Sequence, residues 1–241
     1  MGNWKGAWFL AKHEMKKCGW YHLFTLGFVG YLLLFTTPAI AQQLSGEGDR
    51  YSNWMVDFLY LSLLPVLGFM MNRSAMGYWR TDTHSRKLAT WRTMPIPPKQ
   101  IVMGRLLQVA TTLLVTQLVF FTAQYVWLSL SGPVPAIGEF IVYGLFWFCY
   151  SIIVAVFYIS WEMGHSGKVY FIFCCVIVVV ILAIVSLMAI LKIGQVAITT
   201  LQLSTNGLLF LPALLLVIML AALRIGIIRM TARLQARNYM N

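Results

Sequence analysis

The 241-residue chain is 60% hydrophobic and only 10% charged, with a mean hydropathy of +0.76 and a formal net charge of +11. A soluble domain of this length needs a far more charged surface, so the composition excludes a water-soluble enzyme or binding module and points to an integral membrane protein. The charge alone would also suit nucleic acid, but its confinement to one face of the topology derived below has a simpler cause, and no recognition motif accompanies it.

The chain opens with "NWKGAWFLAKHEMKK", in which Trp4, Trp8, Ala11 and Met15 recur at helical spacing while Lys5, Lys12 and Lys16 fall toward another side. That pattern predicts an interfacial helix over residues 1–18, with Trp4 and Trp8 at headgroup depth and Lys12 facing water. The alternative is a frayed tail whose lysines only set topology. Apolar runs long enough to cross a bilayer as helix then follow at 20–41, 54–71, 101–130, 140–161, 169–191 and 207–223. The runs are continuously apolar rather than alternating, which favours helices over a barrel.

The first run ends in "PAIAQQ", which resembles a signal-peptide cleavage site, but its apolar stretch is long for a signal and is read as a first span. The second is short, with Asp57 near one end and Pro65 inside. Between the fifth and sixth lies "KIGQVAITTLQLSTN", too apolar for an ordinary outer loop and too polar to span. It forms either short half-inserted helices or plain extensions of its neighbours. In this six-span arrangement every lysine and arginine except Arg50 and Lys192 falls on one side, which places both termini in the cytoplasm. The expected architecture is therefore a single all-α transmembrane domain over residues 1–241, with six spans, N-in and C-in. The four cysteines, Cys18, Cys149, Cys174 and Cys175, avoid the outer loops and outline neither a disulfide framework nor a zinc site.

The densest charge sits in the loop between the second and third spans, residues 78–99. Asp82 or Thr83 can cap a short helix in which His84, Leu88 and Trp91 form one stripe while Arg86 and Arg92 project elsewhere. Pro95, Pro97 and Pro98 stop it, and a new helix starts near Lys99 and runs into the third span. Such a loop helix is either a topological anchor or a docking knob with tryptophan and arginine as its anchors.

The stretch resembles the region after the second span in ABC-2 type permeases, the membrane subunits of many bacterial ABC exporters. Asp82 takes the acidic position of their loose motif and Leu88 its leucine. Pro95–Ile96 and Gly104–Arg105 follow at the family's intervals. Aspartate replaces the usual glutamate, Arg86–Lys87 stands where Gly–Thr is common, and Pro97 replaces a serine. The resemblance implies that Asp82, His84, Arg86, Leu88, Trp91, Arg92 and Pro95 belong to a coupling helix that seats in a separate cytoplasmic ATPase subunit. It further implies a second permease copy or paralogue, with ATP and Mg held by the ATPase and no cofactor on this chain.

Other chemistry finds no foothold. There is no G-x-x-x-x-G-K-[ST], no H-E-x-x-H and no G-x-S-x-G. No carboxylate or lysine lies deep in a predicted span, where an ion-coupled carrier keeps its relay. The third span does carry a polar row, Gln108, Thr112 and Thr116, with Gln117 and Gln124 on a neighbouring strip. These residues either bond helices together or give a mildly polar lining where two permease subunits meet. A lining of that kind suits hydrophobic or amphipathic cargo such as a peptide, antimicrobial or lipid-like molecule. The competing class is a non-transport membrane scaffold or sensor whose loop docks a signalling protein.

Overall fold

A computed structural model describes residues 3–17, 19–46, 50–69, 90–91, 96–132, 134–191, 195–205 and 210–236. These residues fold into helices α1 (Asn3–Lys17), α2 (Tyr21–Leu44), α3 (Arg50–Ser62, followed by a 3-10 turn Pro65–Gly68), α4 (Pro98–Ser131), α5 (Ile137–Gly164), α6 (Gly167–Ile190), α7 (Val196–Thr205) and α8 (Phe210–Ala236). No strand occurs among them. Five helices, α2, α4, α5, α6 and α8, are long and apolar enough to cross a membrane. They cover the first, third, fourth, fifth and sixth expected spans.

The second expected span is different. Instead of one helix over 54–71, the chain forms a short apolar helix that breaks before Pro65, a residue whose ring clashes with a continuing helix and which lacks an amide donor. The Tyr150 hydroxyl donates to the carbonyl of Leu61 at 2.9 Å and so satisfies one of the acceptors at the broken end. The segment before the last span is a helix of its own, α7, and not an extension of α6 or α8. α8 also runs to Ala236, well past the expected end at 223, and its extension carries Arg224, Arg229 and Arg233.

At 34 residues, α4 is about 50 Å long, against a hydrocarbon core of about 30 Å. A helix of that length must tilt or extend beyond such a core, and α1 lies along its first turns. α1 buries Ala7, Ala11 and Glu14 and leaves Trp4, Trp8 and Lys12 exposed. The expected apolar stripe of Trp4, Trp8, Ala11 and Met15 is thus split. Small residues pack on α4, and the indoles remain on the outside, where an interfacial position would put them.

Gly104 is what permits that packing. A Cβ there would lie 3.1 Å from Leu10 Cβ and 3.2 Å from the carbonyl oxygen of Ala7. Gly104→Val should push α1 off α4 at a cost of about 1–3 kcal/mol. Hydrogen exchange would then rise along α1 and not in α5; unchanged protection of α1 would refute this account of Gly104.

The core proper is aromatic. Tyr60, Phe120, Tyr143 and Trp147 are fully buried, and Tyr60 meets Trp147 edge-on at 4.8 Å. α8 packs on α5 through Gly226, Met230 and Leu234. α6 by contrast buries only 6% of its apolar window and faces outward almost all round. A helix that is apolar on every side and unburied in the protein needs a hydrocarbon solvent.

Candidate functional site

The polar row of α4 forms a spine through the bundle. It starts at Arg105, whose Nη2 lies 2.9 Å from Glu162 Oε1 near the end of α5, with Nε and Nη2 also reaching Glu162 Oε2 at 3.3 and 3.2 Å. The Arg105 side chain is 17% exposed and that of Glu162 only 1%. Arg105 Nη1 donates to Gln108 Oε1 at 2.9 Å, and the Phe69 ring sits 5.9 Å from the guanidinium carbon. Multiple donors in a planar fork suit arginine here in a way that lysine cannot match.

Further along α4 the hydroxyls of Thr112 and Thr116 turn back onto the helix, donating to the carbonyls of Gln108 and Thr112 at 2.9 and 2.8 Å. Gln117 Nε2 donates to Ser151 Oγ of α5 at 2.7 Å. Gln124 forms a node: its Oε1 accepts from the Tyr60 hydroxyl at 2.9 Å, and its Nε2 donates to Thr36 Oγ1 of α2 at 3.4 Å. Thr36 in turn donates to the Leu32 carbonyl at 2.8 Å. All five residues expected to line a path, Gln108, Thr112, Thr116, Gln117 and Gln124, are buried within the single chain. Gln117 and Gln124 join α4 to α5, α3 and α2, while Gln108, Thr112 and Thr116 bond within α4.

At the opposite end of the bundle from Arg105, α7 is held by a side chain from far upstream. Asp57 Oδ2 accepts from the Val196 amide at 3.0 Å and Oδ1 from the Ala197 amide at 2.8 Å. The first amides of a helix have no partner within it, and a carboxylate there satisfies two of them and meets the positive end of the helix dipole. Asp57, expected near one end of the second span, is buried. Beside it, Trp54 Nε1 donates to Ser186 Oγ of α6 at 3.3 Å, and Asn53 Nδ2 donates to Gln43 Oε1 of α2 at 2.7 Å.

Of the loop residues, Asp82, His84, Arg86, Leu88, Arg92 and Pro95 lie outside the described residues. Trp91 is described. It is half-buried and packs against the core beside Ile96, close to where α4 begins. Sequence reasoning missed Glu162 and Asp57 as partners, although a carboxylate at the edge of an otherwise apolar run is itself a signal that a partner exists. Among the described residues no group of three or more His, Cys, Asp or Glu is placed to hold a metal ion, and Cys149, Cys174 and Cys175 are free thiols. No family model matches the chain, and neither a curated protein nor a solved structure matches it.

Proposed function

We propose that the chain is the membrane-spanning permease subunit of an ATP-driven ABC-2 type exporter in a bacterial cell membrane. It works as a dimer with a second copy or a paralogue, its termini and basic loop in the cytoplasm. A separate ATPase subunit binds ATP and Mg and seats the helix around Leu88 and Trp91. This chain supplies the path for a hydrophobic or amphipathic cargo and hydrolyses nothing itself.

The observation that carries this reading is the position of Gly104–Arg105, the last element of the loop's motif. There the chain leaving the loop is clamped on one side by α1 and on the other, through the ion pair, by α5. A push delivered at the loop therefore moves α1, α4 and α5 together, because a packed interface shifts as a unit and does not deform continuously. The separate α7 on the outer side and the break in the second span, whose far end at Phe69 lies beside Arg105, add irregular backbone of the kind tolerated where protein or a wet cavity covers it.

The test is co-purification of the tagged chain with the Walker-A protein encoded beside it, with the native loop and with Leu88→Asp/Trp91→Asp. A stable complex lost in the variant, together with its stimulated ATP hydrolysis, is the expected result. Failure of the native chain to hold any ATPase would sink the exporter reading and leave the scaffold class.

A further inference from the structure

α4 and α5 run antiparallel and leave a groove of about 520 Å³ between them, open on the outward side of the bundle. Its walls are Leu114, Leu118, Phe121 and Tyr125 from α4 and Phe140, Ile141 and Leu145 from α5, with Gly144 at the floor. The volume lies in the usual range of about 300–1,000 Å³ for a small-molecule site. From Leu114 to Val126 the groove covers about 18 Å of helix axis, close to the roughly 15 Å that one leaflet contributes to a hydrocarbon core. It lies on the half of α4 remote from Arg105, hence in the outer leaflet under the inferred topology. Toward mid-bilayer it ends at Leu114, one turn beyond Gln117. Its rim residues Leu114, Leu118, Ile141 and Leu145 are exposed and continuous with the rest of the apolar surface.

We infer that this groove is a binding site for one acyl chain of an outer-leaflet lipid, taken in tail-first and stopped near mid-bilayer. Three features select this occupant: an opening onto the lipid-facing surface, a length of one leaflet, and a lining that is almost wholly aromatic and aliphatic. Gly144 keeps the floor open. A Cβ there would sit 3.5 Å from the Phe121 ring, an ordinary contact, and a larger side chain would extend into the groove's volume. The inference does not depend on the exporter reading.

The experiment uses the full-length chain in phosphatidylethanolamine–phosphatidylglycerol vesicles carrying a phospholipid with a photoreactive acyl chain. After illumination, adducts should concentrate on the peptides covering 114–148, well above those on the outward face of α6. Gly144→Leu and, from the rim, Leu145→Trp should each remove most of that label while leaving the label on α6 unchanged. Equal labelling of the groove and α6 would mean ordinary surrounding lipid and overturn the proposal. So would disulfides between copies formed through Leu118→Cys or Ile141→Cys, which would assign the groove to a second chain. The two blocking variants act from different helix faces, so loss of folding in one leaves the other to decide.

Discussion

Replacing Arg105 with alanine should cost about 3–5 kcal/mol of stability, the range for stranding one member of a buried ion pair. The asymmetry of the pair sets the direction of comparison. Glu162 is almost completely enclosed, so loss of the guanidinium removes a cation from a site that water scarcely reaches. Arg105 retains some access to water, so Glu162→Ala should be the milder of the two single changes. The double variant Arg105→Met/Glu162→Leu, which removes both charges and keeps the volume, should recover much of the loss. Unfolding in mixed micelles followed by helicity, on all four forms, gives the coupling directly. Single variants within about 0.5 kcal/mol of the native chain would mean that the pair is a surface contact in practice. Such a result would also remove the joint on which force transmission from the loop depends.

Asp57→Ala should release α7. The substitution leaves the Val196 and Ala197 amides without acceptors in a membrane-facing fold, and a buried donor left unpaired costs about 1–3 kcal/mol. Water cannot compensate in the hydrocarbon region as it would at the end of an exposed helix. Ala197, now fully buried, reports the event. In a cysteine-free background, Ala197→Cys should resist a small maleimide when Asp57 is present and react readily when it is alanine. Asp57→Asn keeps one acceptor and should fall between. Equal labelling in all three would mean that packing alone holds α7 in place, since α7 also touches α5.

What the sequence made legible follows the range of the interactions. Runs of apolar residues gave the long helices, since a span answers to the bilayer before it answers to any neighbour. Pro65 stands in plain view in the second run, yet that run reads as one span over 54–71, whereas the odd composition after Lys192 marked a segment unlike its flanks. The first helix was also readable, but not the face it turns inward. Trp4 and Trp8 carry the strongest apolar signal, yet Ala7 and Ala11 make the close contact, because backbone approach at Gly104 rewards smallness. The least legible features were pairings across distance. Nothing local to Asp57 names Val196, and nothing in the third span says that Arg105 reaches Glu162 and not lipid headgroups. Likewise the row from Gln108 to Gln124 was visible as a stripe, whereas its partners Ser151, Tyr60 and Thr36 emerge only when four helices are brought together.

The clasp between Asp57 and α7 also has a history in time. Its two halves are 139 and 140 residues apart in the chain. At the usual pace of synthesis, about 5–20 residues per second, the carboxylate leaves the ribosome some 7–28 s before the amides it will bind. For that interval the second span is a short, broken, acid-bearing segment without its closing partner, a poor candidate for independent insertion. It follows that this segment settles late, after synthesis has passed Ala197. Birth order and assembly order in this chain are therefore not the same.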